Sequence, residues 1–286
     1  MAVADSADGQ AEVARARRPQ YLALMLFGLV VYERPVVLAA SSVIDILGEL
    51  GISDYAVRST LTRMTDRGLL ARYRRGREVY WGLTEHGSAV LRGGQTAAHQ
   101  SPDGEWDGTW TVLGFSLPED QRALRHQLRS RLTWGGFGVL HSGMWIAPGV
   151  VNVASLLEDL KVEDRVQVFT ATPAAPTEID QLILDAYDLD EIAHRYTGFL
   201  ARWGDHSALS GHNPLGTLLI LQSEWAQLAR ADPRLPLAHL PDDWPAVAAF
   251  ELYHRLHRKM SPHAEQLCAT RARTVEITDE ERDRPA

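Results

Sequence analysis

Apolar residues recur at helical spacing twice in close succession, first at Val43, Ile44, Leu47 and Leu50, then at Val57, Leu61 and Met64, with Thr60 on the same side of the second run. Positions three and four apart share a face, so each run predicts an amphipathic helix with one side for a core. Gly51-Ile52-Ser53 separates the two. A helix-turn-helix requires about three residues there, with a glycine free to take φ > 0 where the first helix stops, and Ser53 stands where an N-cap oxygen is wanted. Ser42 and Asp45 form an S-x-x-D capping pattern ahead of the first run. Upstream, residues 21–32 are almost continuously apolar between Pro19 and Pro35. They predict a helix buried on most sides, since a membrane span needs about twenty such residues. Downstream, β-compatible runs at residues 70–73 and 79–83 flank Arg74-Arg75-Gly76-Arg77 and predict a hairpin. Thr84 and Glu85 then open a last short helix holding Val90 and Leu91.

From residue 93 to 108 Gly, Ser, Pro, Gln and Asp replace the apolar positions, which predicts a linker. Beyond it come a strand at residues 110–115 and a helix with Leu124, Leu128 and Leu132, led by Pro118, Glu119 and Asp120. Short strands at 137–141 and 144–147, joined by Ser142-Gly143, precede a helix capped by Asn152 and a strand at 166–170. This βαββαβ order is the ferredoxin-like arrangement. Pro173 and Pro176 mark a boundary, after which residues 178–203, 215–231 and 245–268 are helical by periodicity. The chain thus reads as α+β. The predicted segments are a disordered leader (1–18), a winged helix-turn-helix domain (19–92), a linker (93–108), a ferredoxin-like domain (109–172), a C-terminal helical domain (177–272) and a disordered acidic tail (273–286).

Charge sharpens this picture. The chain carries a formal charge of -8, yet residues 58–77 hold seven Arg against one acid, Asp66. A local basic patch on an acidic protein argues for a placed phosphate contact. Tyr55, Arg58, Ser59, Thr62 and Asp66 fall on the outward side of the second helix, flanked by Arg63. An arginine can pair with O6 and N7 of guanine, hydroxyls serve several base edges, and the early turns of such a helix reach furthest into the major groove. Ser53, Tyr55, Arg58, Ser59, Thr62 and Arg63 are therefore the candidate groove contacts. Arg74, Arg75 and Arg77 are the candidates for phosphates or the minor groove. An ordinary surface hairpin with a solvated charge run is the alternative reading of the second set.

Enzymatic chemistry finds little support. The eleven His are scattered without H-E-x-x-H spacing, and a single cysteine, Cys268, excludes an intrachain disulfide and a four-thiolate zinc site. A reducing, cytoplasmic compartment is the expectation, and the leader has no apolar segment to serve as a secretory signal. Asp185, Asp188, Asp190 and Glu191 lack the spacing of a calcium loop. Gly135-Gly136-Phe137-Gly138 matches no phosphate-binding loop, and G-x-S-x-G is absent. No catalytic residue, metal or cofactor is expected. Arg122 and Arg125 line one helix and could meet phosphates, while Arg195, Tyr196 and Trp203 offer a guanidinium and two aromatic faces. These five are candidate effector contacts, with packing and a solvated face as the alternative.

The run GISDYAVRSTLTRMTDRGLLARYRRGREVYWGLTEHG, residues 51–87, resembles the N-terminal domain of the PaaX-type transcriptional regulators. The resemblance continues through WTVLGFSLPE (110–119), GFGVLHSGMWIAP (136–148) and DPRLPLAHLPDDWP (232–245), in the family's order. It implies a central domain similar to Cas2, a homodimer on a double-stranded DNA operator, and a repressor of a phenylacetate-type catabolic operon. Release would follow an acyl-CoA effector such as phenylacetyl-CoA. A Cas2-like metal-dependent nuclease, recruited by the winged domain, is the alternative, but such an enzyme would place an acid at the end of its first strand, where this chain reads WTVLGFS. A DNA binder without an effector is the other.

Overall fold

The computed structural model describes residues 18–140, 143–158, 160–204 and 213–278. The chain forms two compact units, each assembled from separate stretches: residues 1–99, 198–227 and 251–286 make the first, residues 100–197 and 228–250 the second. The helical segment expected as a third domain contributes to both.

In the first unit, α1 (Pro19–Val30) begins with proline at a position whose N–H has no helical partner anyway. A four-residue strand that periodicity does not mark, β1 (Val36–Ala39), leads directly into α2 (Ala40–Gly48). This corrects the expected capping box. Ala39 is the N-cap, and Ser42 lies buried inside the helix, its hydroxyl accepting from the Arg273 N–H at 2.9 Å. Gly51 takes φ +81° at the turn, and α3 (Asp54–Asp66) follows with Ser53 as N-cap, its Oγ accepting from the Ala56 N–H at 3.3 Å. Val57, Thr60, Leu61 and Met64 are buried as the spacing predicts. They lie against α1 and α2, whose Leu22, Leu26, Phe27, Val43 and Leu47 are equally inaccessible.

Strands β2 (Leu70–Arg75) and β3 (Glu78–Leu83) pair from Leu70↔Leu83 to Arg75↔Glu78 around Gly76-Arg77, with Gly76 at φ +61°. The sheet then grows in a way local pattern does not announce: its order is β2-β3-β1-β8, where β8 (Thr274–Glu276) comes from the far end of the chain. The expectation of a disordered tail from residue 273 is corrected for residues 273–278. Ile277 is buried with Val37, Ala39, Ala71, Tyr73 and Tyr80. Residues 1–17 and 279–286 lie outside the described residues. The linker is corrected too, because α4 (Glu85–His99) runs seven residues past Arg92. Ala98 is buried and accepts a hydrogen bond from Trp225 Nε1 at 2.9 Å, so a tertiary contact overrides the weak propensity of Gly93 and Gly94.

The second unit contains β4 (Trp110–Phe115), α5 (Arg122–Trp134), β5 (Gly138–Val139), β6 (Met144–Pro148), α6 (Val153–Leu157) and β7 (Val166–Ala171). Its antiparallel sheet has the order β5-β6-β4-β7, the ferredoxin-like arrangement. Leu113, Trp145 and Ala147 on one face pack with Leu128 and Leu132 of α5, while Trp110 and Ile146 on the other pack with Ile183 of α7 (Ile179–Ala186). Gly138 owes its identity to this packing, since a Cβ there would meet the Ala186 carbonyl oxygen at 2.6 Å. His141 of the expected strand and Ser142 of the expected turn lie outside the described residues.

The helix expected over residues 178–203 is two helices, broken at Tyr187-Asp188 before α8 (Leu189–Gly204). Asp188 accepts from the Glu191 N–H at 3.0 Å, which makes it an N-cap and puts Asp190 and Glu191 at the positive end of the helix dipole. Two further helices, α9 (Pro214–Ala231) and α10 (Ala246–Arg271), complete the chain. Among the described residues no helix is long and apolar enough to cross a membrane.

Candidate nucleic-acid interface

The outward side of α3 has the character its spacing predicts. Tyr55 is 83% exposed, and Ser53, Arg58, Thr62 and Arg63 are also exposed, with Ser59 half-buried. Hydrogen bonding divides these residues into free and occupied groups. Arg58 donates Nε–H to Asp54 Oδ1 at 2.6 Å and Nη2–H to Oδ2 at 3.4 Å. Arg63 spends Nη1 on the Ser59 hydroxyl at 2.5 Å and Nη2 on the Thr60 hydroxyl at 3.0 Å. The Thr62 hydroxyl donates to the Arg58 carbonyl at 3.0 Å, and Ser53 is engaged as the cap. Tyr55 and the outer edge of Arg58 are thus the groups on this helix best placed to meet a base.

The hairpin sorts its arginines by strand alternation. Arg72 stands opposite Trp81 and Arg74 opposite Val79, on one face of the sheet. That face meets α3, because Trp81 Nε1–H donates to the Thr65 hydroxyl at 3.2 Å. Arg72 and Arg74 are both exposed on that face, whose contact with α3 is at Thr65 in the last turn of the helix. Arg72 was not among the candidates; its two-residue spacing from Arg74 is the signal that finds it. Arg75 lies at the register position of Glu78, and Arg77 sits exposed in the turn. Glu78 is itself engaged: the Tyr80 hydroxyl, at 2.6 Å, and then Arg273, at 2.8 Å, hold its carboxyl below the usual range. The sequence-predicted DNA-binding set is therefore brought together on one module, with Arg74 and Arg77 the clearer candidates for phosphate.

The effector candidates are not assembled in this way. Tyr196 is 2% exposed and Trp203 1%, so neither offers a face to a ligand. The Tyr196 hydroxyl donates to Asp232 Oδ2 at 2.5 Å, and burial followed by that carboxylate pushes its pKa up. Trp203 Nε1–H donates to the buried Glu224 at 2.7 Å. Both are interior packing residues, which corrects that expectation. Arg195 is paired with Glu191 at 2.9 Å, and Arg125 donates to the carbonyls of Leu117 at 2.7 Å and Pro118 at 3.1 Å, fixing the entry to α5. Arg122 is exposed.

Helices α1 to α3, a two-residue-turn hairpin and an outward polar face on α3 give residues 19–83 of the first unit the arrangement of a winged helix-turn-helix. Comparison with known proteins gives the family. Residues 18–87 match the model described as PaaX-like protein, residues 103–183 the PaaX protein central Cas2-like domain, and residues 187–270 the PaaX-like protein C-terminal domain. The chain belongs to the PaaX family. It is 25% identical over 238 residues to the transcriptional repressor PaaX of Escherichia coli strain K12, covering 78% of this chain and 74% of that protein. Among solved structures it is similar to the uncharacterized protein Rv0674 from Mycobacterium tuberculosis, with a TM-score of 0.55 and 26% identity over 80% of this chain and 92% of that one.

Proposed function

We propose that this protein is a cytoplasmic, DNA-binding transcriptional repressor that acts by binding and not by catalysis. The observation that carries the reading is the helix α3, whose apolar stripe is fully buried while Tyr55 and Arg58 are exposed, on the same module as the exposed hairpin residues Arg72 and Arg74. Such a helix enters the major groove and the hairpin arginines hold the flanking phosphates. A homodimer doubles the sequence read and matches half-sites about one helical turn apart. On the strength of the family, the effector is an aromatic acyl-CoA thioester of the phenylacetyl-CoA kind, and the regulated genes are those of an aromatic-acid catabolic operon. Release requires the thioester to bind the DNA-incompetent state more tightly than the competent one.

Electrophoretic mobility shift on the DNA upstream of the protein's own operon tests both halves. A shifted duplex that phenylacetyl-CoA returns to the free position supports the whole reading. A shift that no aromatic acyl-CoA weakens removes the induction half and leaves a DNA binder without an effector. Substitution separates the roles on the DNA: R58A relaxes preference at one base pair, worth about 1–3 kcal/mol. R74A weakens binding to all sequences and reduces the salt slope by about one unit.

A further inference from the structure

Resting on the reading of α3 as the helix that meets DNA bases, we propose that Asp54 is a positioning residue for Arg58: it grips the guanidinium side-on so that the outer edge is presented to a guanine. The carboxylate takes Nε and one Nη2 hydrogen, at 2.6 and 3.4 Å. A side-on grip uses that edge of the planar fork and leaves the end-on Nη1 and Nη2 hydrogens directed away from the carboxylate, in the parallel pair that O6 and N7 of guanine accept. Arg63 is the internal contrast, because its Nη1 and Nη2 are both consumed by hydroxyls of its own helix.

Asp54 is the acid of the first turn and gains a modest helix-dipole stabilisation there, but that role does not require its grip on Arg58. The helix already has its N-cap, since Ser53 accepts from the Ala56 N–H. The Asp54–Arg58 pair is exposed on both sides, 56% and 62%, where solvent leaves an ion pair little stabilising effect. A carboxylate at the tip of a helix that approaches a polyanion also repels it, so its presence weakens non-specific binding. Holding one arginine rotamer compensates by lowering the entropy lost when Arg58 meets its base. An acid so placed trades general affinity for discrimination.

The test uses the full chain. Selection from a randomised duplex pool yields its preferred sequence, and fluorescence anisotropy then measures binding to that duplex, to its single-base-pair variants, and to sheared genomic DNA as the non-specific probe. R58A identifies the guanine that Arg58 reads. In D54A, discrimination at that base pair falls on the order of tenfold while binding to sheared genomic DNA tightens severalfold. In the D54A/R58A double variant no discrimination is lost beyond that of R58A. D54N, which keeps an oxygen for Nε but not the charge, falls between and serves if D54A is poorly folded. Unchanged discrimination in both Asp54 variants, with R58A still losing it, overturns the positioning role and spares the groove assignment. If R58A keeps every base preference, the groove assignment itself fails.

Discussion

Single residues in this fold are constrained in ways that their types do not show. Thr84 caps α4, its hydroxyl accepting from the Gly87 N–H at 2.9 Å, and its own N–H bonds the Leu69 carbonyl at 3.2 Å. The first turn of α4 is thereby drawn onto the backbone before β2, and a Cβ at position 87 would lie 2.1 Å from the Leu69 oxygen. G87A therefore destabilises by about 2–3 kcal/mol. Gly93 and Gly94 in the same helix have open space around them. Alanine at either stabilises by about 0.5–1 kcal/mol, and thermal unfolding of the three variants separates the cases. Three glycines of one helix look alike in sequence because the difference lies in what is packed against them. Glu224 makes the same point with charge. It is buried between Arg202 and Trp203 Nε1, at 3.3 and 2.7 Å, so E224A strands both and costs about 3 kcal/mol, whereas E224Q keeps an oxygen for Trp203 and costs less. The outward side of α3, by contrast, was legible, because a 3.6-residue period fixes which positions face solvent. That Ser59 serves Arg63 was not, since rotamer choice leaves no trace in spacing.

At the scale of elements, periodicity found every helix of the winged module and both strands of its hairpin, and it found the βαββαβ order of the second unit. It missed β1 and β8, which have four and three residues; β8 pairs with β1, and β1 lies between β3 and β8. The Ala39 N–H donates to the Arg273 carbonyl and the Ile277 N–H to the Pro35 carbonyl, each at 2.9 Å. Ending the chain after residue 272 should therefore accelerate hydrogen exchange at the Ala39 amide and remove the burial of Ile277, about 2 kcal/mol. Elsewhere in the first unit, His254 and His257 of α10 sit among His99 of α4, Gln222 of α9, and Tyr253, Arg258 and Ser261 of their own helix. Burial first, then the neighbouring His99, lowers both imidazole pKa values below 6.5. Below about pH 6.5 the unfolded chain consequently binds protons that the folded chain refuses, so stability falls as pH falls through that value. The melting temperature should drop between pH 7.5 and 5.5, and by less in H257Q.

For the molecule as a whole, the lesson is that a unit of the fold need not be a stretch of the chain. The basic module reads from sequence as residues 19–92, yet its unit is closed by residues from 198–227 and 251–286. Arg271 pairs with Glu49 at 2.7 Å, Arg273 donates to Ser42, Trp225 donates to Ala98, and Asn213 donates to Glu49. None of these partners is near its mate in sequence, and no local pattern records them. A fragment of residues 18–99 keeps all seven arginines of the patch but lacks the fourth strand and the cover of Ala98. It should unfold at lower temperature than the full chain and bind duplex DNA more weakly. The slope of log affinity against log salt depends on the number of phosphates neutralised and not on stability. Measured at a temperature where circular dichroism shows the fragment folded, that slope should equal the full chain's. A shallower slope for the fragment would mean that some of the phosphate contacts depend on residues beyond residue 99.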